Sequence, residues 1–132
     1  MYFWMNVTVK YESCGIDQKF YPLVNKFIKY LQTHFPLKQS LEINFIGKRK
    51  GKMTTASRRK NFIKVFCTKR ILRDILRSLA HEWYHEYEDL ILNIPHKKEI
   101  GGKNEDLANA KSGMIIKKFE YEFPDLQQSL YF

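Results

Sequence analysis

Cysteine is scarce in this chain, and the two present, Cys14 and Cys67, form no Cys-x-x-Cys pair. That excludes a dense disulfide framework and makes a reducing compartment the simpler expectation, with a single disulfide left open. Long apolar runs are missing as well: no segment approaches the roughly 18 to 20 apolar residues that span a bilayer. The opening residues, Met1 to Asn6, contain no basic stretch leading into an apolar run, so a signal peptide is not expected. With no repeat, linker or low-complexity tract, residues 1–132 are expected to form one soluble, cytoplasmic domain. Acidic residues are in deficit, 14 against 23 basic, and the formal net charge is +9. Such charge attracts nucleic acid or an acidic protein partner, yet it serves solubility equally. Its strongest clusters, Lys48-Arg49-Lys50-Gly51-Lys52 and Ser57-Arg58-Arg59-Lys60, are accompanied by no recognisable nucleic-acid-binding module. What remains is a globular composition, 44% hydrophobic and 28% charged, which rules out a disordered chain.

Hydrophobic periodicity orders this material. Alternation over 7–11 predicts a first strand, and the stripe Leu23, Phe27, Tyr30, Leu31 predicts a packing helix over 21–33, stopped by Pro36. A second strand is expected over 41–47, followed by a charged turn at 48–52 and a hairpin partner at 62–67. Residues 53–60 are ambiguous, because Thr54 and Thr55 favour a strand while 56–60 do not insist on one. From Lys69 to Tyr87 the period is helical, with Leu72, Ile75, Leu76, Leu79 and Trp83 on one stripe and Ser78, His81, His85 and Glu88 beside it. Pro95 argues for termination nearby. Gly101-Gly102 marks a joint, and a last helix over 105–119 follows, with Asn104 as its N-cap and Glu105 and Asp106 at its positive end. The last residues form a short or partly frayed tail. The order of elements is α+β: a small sheet, an N-terminal packing helix and two later helices.

The chemistry concentrates at His81-Glu82-Trp83-Tyr84-His85. Histidines four apart on a helix share one face, about 6 Å apart in rise, and their side chains can converge on one ion. Glu82, next to the first histidine, is placed to act as general base on a metal-bound water. Catalytic zinc needs a third protein ligand and leaves a fourth position open. Glu105, on the following helix, is the preferred third ligand and completes a gluzincin-like set of two histidines and one glutamate. His96 competes for that role, and Glu99, Glu88 and Asp89 are also available. Glu88 or Asp89 can alternatively steady His85 through its other ring nitrogen. The bland reading, two histidines on a solvated helix face, loses ground because a glutamate-bearing helix follows.

The stretch Leu79-Ala80-His81-Glu82-Trp83-Tyr84-His85, taken with Glu105-Asp106-Leu107-Ala108-Asn109, resembles the zincin metallopeptidases, in particular the small ImmA/IrrE-like group of bacteria, phages and mobile elements. The resemblance implies Zn2+ held by His81, His85 and Glu105, with Glu82 catalytic in hydrolysis of a protein or peptide substrate. It also implies a minimal zincin-like fold. The chain departs from that group at Ala110-Lys111-Ser112-Gly113-Met114, where Phe-Ala and an apolar segment commonly follow. SprT-like metallopeptidases are a neighbouring comparison that uses a third histidine, for which His96 would have to serve. By the same resemblance, residues 62–67 are expected near an edge that takes up extended substrate; Lys64 or neighbouring basic residues there either favour acidic peptides or simply form a solvated strand face. Tyr84, Tyr87, His96, Arg58 and Arg59 are the candidates for stabilising a tetrahedral intermediate. The rival expectation is a basic nucleic-acid-binding or protein-interaction module with a non-catalytic zinc core, to which Glu82 would be of no particular use.

Overall fold

Apolar-polar alternation in the first strand half-buries every second residue, and the computed structural model shows that strand, β1 (Val7–Glu12), at one edge of a four-stranded sheet. The structure describes residues 6–47, 56–90 and 103–132, apart from the side chains of Leu90, Lys103 and Asn104. Helix α1 (Tyr21–His34) carries Pro22 in its first turn, where the preset φ of proline suits a helix, and buries Leu23, Val24, Phe27, Ile28 and Leu31. It stops at Phe35, ahead of Pro36, as the restricted backbone before proline requires. The buried Gln32 amide then donates to Leu37 O at 2.7 Å and accepts from Leu37 N at 3.0 Å, fixing the path into β2 (Leu41–Ile46).

Strands β3 (Ala56–Arg59) and β4 (Phe62–Phe66) complete the sheet in the order β1-β2-β4-β3. β2 pairs in parallel with both β1 and β4, and only β3 and β4 are antiparallel. The expected hairpin between 41–47 and 62–67 is therefore corrected: these strands are parallel neighbours, and the hairpin partner of β4 is β3. Asn61 makes the tight β3–β4 turn by taking φ of 63°, a left-handed conformation that asparagine tolerates better than most residues. The ambiguous stretch resolves as strand at Ala56–Arg59, while Thr54, Thr55 and the charged turn at 48–52 lie outside the described residues. β4 is interior rather than an edge; among the described residues β3 is the edge on that side.

Helix α2 (Leu72–Leu90) sets Leu72, Ile75, Leu76, Leu79, Ala80 and Trp83 into the core with Ile43, Phe45, Ile63 and Val65 of the sheet. Trp83 also donates its indole N–H to Phe35 O at 2.9 Å, tying the helix to the end of α1. Helix α3 (Lys103–Glu122) packs along α2, burying Ala108, Ser112, Ile116 and Phe119. It begins before the expected N-cap, so Asn104 lies within it, and it runs on to Glu122, just ahead of Phe123-Pro124. Pro95, the expected stop after α2, lies outside the described residues. The tail is ordered: short 3-10 turns at Pro124–Leu126 and Gln128–Tyr131 bury Leu130, and Phe132 O accepts from Leu72 N at 2.7 Å at the start of α2. The fold is thus α+β, a small mixed sheet with a packing helix, a histidine-bearing helix and a glutamate-bearing helix. No helix among the described residues is long and apolar enough to cross a membrane.

Candidate metal centre

The helical period brings His81 and His85 to one side of α2, and the first turn of α3 delivers Glu105 against them. His81 Nε2 lies 3.1 Å from His85 Nε2 and 3.1 Å from Glu105 Oε2, and His85 Nε2 lies 2.8 Å from Glu105 Oε1. One ligand atom from each of the three residues falls within 4.8 Å of the other two. Two ring nitrogens and two carboxylate oxygens turned on one point form a convergence of lone pairs that protons alone satisfy poorly. Zinc bonds of about 2.0–2.1 Å in a tetrahedron give ligand-to-ligand edges of about 3.3–3.4 Å, close to the spacings here. The imidazole and carboxylate donors also suit zinc's borderline character. The donor set fits the ion.

Around this point the chain is graded from buried to open. His85 is 2% exposed, whereas Glu105 is 32% exposed at the wall of a cleft of about 660 Å³. Behind His85, Glu88 Oε1 lies 3.5 Å from Nδ1, and both side chains are buried. Burial raises the Glu88 carboxyl above its ordinary range, the Asp89 and Glu105 charges add to that, and Arg58 opposes it. Glu82 lines the cleft beside His81 and Glu105. Burial pushes its carboxyl up to about 7, Arg58 pulling it back and the charges of Glu105 and Glu86 raising it.

Of the described residues weighed as a third ligand, Glu105 is the one brought to both histidines. Glu88 stands behind His85, and Asp89 Oδ2 accepts from Arg58 Nη2 at 2.8 Å. His96 and Glu99 lie outside the described residues. Arg58 is not held over the cleft as a stabiliser of an intermediate would be; it is buried in ion pairs with Glu86 and Asp89. Arg59 sits with its guanidinium 4.6 Å from the centre of the Phe62 ring. Tyr84 and Tyr87 pack edge-on against Phe35, at 5.7 and 5.4 Å between ring centres.

The far wall of the cleft is formed by Arg70, Asp74, Arg77 and Ser78 from α2 and its approach, and by Asn109 and Ser112 from α3; Ser78 and Asn109 were legible in the sequence beside the motif residues, whereas Arg70, Asp74 and Arg77 were missed. The spacing 74-77-78-81-82 marks one helical face and was the available signal; Arg70 precedes the helix and gives none. The fold and this cluster give a His/His/Glu triad consistent with a zincin-like metal-binding site. No family model, curated protein or solved structure matches the chain.

Proposed function

We propose that the protein is a zinc-dependent metallopeptidase, akin to the ImmA/IrrE-like group, that hydrolyses a peptide bond in a protein or peptide substrate. The observation that carries this reading is the convergence of His81, His85 and Glu105 on one point at the wall of an open cleft that Glu82 also lines. Bound there, zinc would supply a Lewis acid that polarises the scissile carbonyl and makes water a better nucleophile at neutral pH. The buried His85 and the more exposed His81 and Glu105 would hold that point from two helices, with the Glu88 carboxyl 3.5 Å behind the His85 ring in position to steady it. The Glu82 carboxylate takes a proton from the attacking water as the carbon–oxygen bond forms, then passes it to the amide nitrogen as the carbon–nitrogen bond breaks. Among the described residues β3 is the sheet edge beside the site, and its first residue, Ala56, lines the same cleft, an arrangement that supports pairing of extended substrate with its backbone groups. The free, buried thiols of Cys14 and Cys67 suit a reducing compartment such as the cytoplasm.

Zinc near one equivalent per chain, measured by elemental analysis after dialysis, is expected to fall sharply in His81→Ala; unchanged content defeats the ligand assignment. Glu82→Gln should keep zinc and fold while peptide hydrolysis drops by about 10²-fold or more. Full activity in that variant defeats the general-base role. Zinc retained with no hydrolysis of any peptide by the unmodified chain would favour a non-catalytic zinc core instead.

A further inference from the structure

Helix α3 meets α2 on one flank, where it delivers Glu105; its other flank runs beside α1, and the surface there is of a different kind. Phe119 packs edge-on against Phe27 and stacks with Tyr30, at 5.0 and 5.4 Å between ring centres. Large rings at a helix contact widen the spacing between the axes, and a furrow remains on the outer side. It consists of two adjoining hollows of about 520 and 130 Å³ that share Tyr30 and His34. The floor is apolar, formed by Tyr30, Phe35, Met114, Ile115 and Phe123, with Met114 47% exposed. The rims are basic: Lys26 and Lys29 stand on the α1 side, Lys111 and Lys118 on the α3 side, and Glu122 is the one carboxylate among the lining residues. Among the described residues none of these four lysines is ion-paired to a carboxylate, and the Lys26 ammonium lies 4.2 Å from the centre of the Phe123 ring.

We propose that this furrow is a docking groove for an acidic amphipathic helix of a partner protein. Along the furrow the backbone groups of α1 and α3 are bonded within their own helices, so an extended chain finds no edge to pair with. A helix satisfies its own backbone and needs only an apolar stripe to lay on the floor. From Pro22 to His34 the furrow follows about 18 Å of α1, the length of a helix of about twelve residues. Lysines on both rims match acidic residues on both flanks of such a stripe. A second copy of this chain, with net charge +9, would instead bring like charge to like. A nucleic acid would satisfy the lysines and leave the floor at Met114 and Ile115 uncovered. The groove lies on the other flank of α3 from Glu105, and docking there is independent of the peptidase reading.

The full chain is titrated at physiological salt, by fluorescence anisotropy, against three labelled peptides of about fourteen residues. One carries leucines at helical spacing flanked by glutamates, the second has lysines in place of the glutamates, and the third has the composition of the first in scrambled order. The glutamate peptide is expected to bind at least about tenfold more tightly than either control. Met114→Gln, on an exposed residue outside the metal cleft, should weaken that binding about fivefold or more, with the circular dichroism spectrum and melting temperature kept. Lys111→Glu combined with Lys118→Glu, checked for folding in the same way, should weaken it about tenfold and bind the lysine peptide more tightly than the unmodified chain does. Equal binding of the three peptides, no binding, or an affinity unchanged in these variants overturns the groove. A single-stranded oligonucleotide that binds more tightly than the glutamate peptide and loses affinity in the same variants makes the partner a nucleic acid. A dimer in sedimentation that Met114→Gln dissociates makes the occupant a second copy. Either result overturns the acidic-helix assignment.

Discussion

His85 is nearly fully buried and has Glu105 at one ring nitrogen and Glu88 at the other. A carboxylate behind a ligating ring can fix its orientation and raise its basicity toward a metal. Glu88→Gln keeps the shape of the side chain and removes its charge. The zinc affinity of that variant, measured by competition with a chromophoric chelator, should fall about 10- to 100-fold while the fold is kept. An affinity equal to that of the unmodified chain would show that Glu88 only fills space. At this scale the sequence was informative about His81, Glu82, His85 and Glu105, because a four-residue spacing on a helix is geometry already. It left Glu88 and Asp89 as equals behind His85. Only the rotation of α2 against β3 separates them, turning Asp89 to Arg58 and Glu88 to the histidine.

The elements that hold the site are clasped by a charge network that local pattern does not foretell. Arg58 of β3 reaches Glu86 and Asp89 of α2, and Glu86 Oε2 also accepts from the Asn61 backbone N–H at 2.7 Å in the β3–β4 turn. Glu86 is 1% exposed, so removing its cationic partner strands a buried carboxylate. Arg58→Met should cost about 3–5 kcal/mol in urea denaturation. A loss below about 1 kcal/mol would mean that water or another group compensates Glu86. Periodicity located β1, α1, β2, β4 and α2 because each carries its own period of two or 3.6 residues. It could not give the parallel pairing of β2 with β1 and β4, which depends on partners far apart in the chain. β3 escaped for a related reason: Ser57, Arg58 and Arg59 carry no apolar alternation, and the strand is held by β4 on one side and by the Arg58 ion pairs.

At the scale of the whole molecule, the tail is packed into the core. Leu130 is fully buried and Phe132 O accepts from the first residue of α2, so the last turns brace the histidine-bearing helix at its far end. Leu130→Ala should therefore lower global stability by about 2–5 kcal/mol, read as a shifted urea midpoint; a change of a few tenths would show the tail docking independently of the core. The core also gives stability a defined dependence on alkaline pH. Cys67 is buried, with its thiol 3.4 Å from Val65 O, and burial together with Cys14 pushes its pKa from 9.0 up to about 12, against an opposing pull from Arg70. Burial moves Tyr11 in the same direction, above its ordinary 10.0. In the unfolded chain the Cys67 thiol ionises near pH 9, while the folded chain keeps that proton to about 12. The unfolded state then binds fewer protons across this window, so stability contributed by Cys67 is intact below pH 9 and is lost progressively as pH rises toward 12. Urea midpoints at pH 7, 9 and 10.5 should be level over the first interval and fall over the second. Cys67→Ala, less stable at neutral pH because it loses core packing, should fall less steeply over that second interval, whereas equal slopes for the two chains would remove Cys67 as a source of the decline.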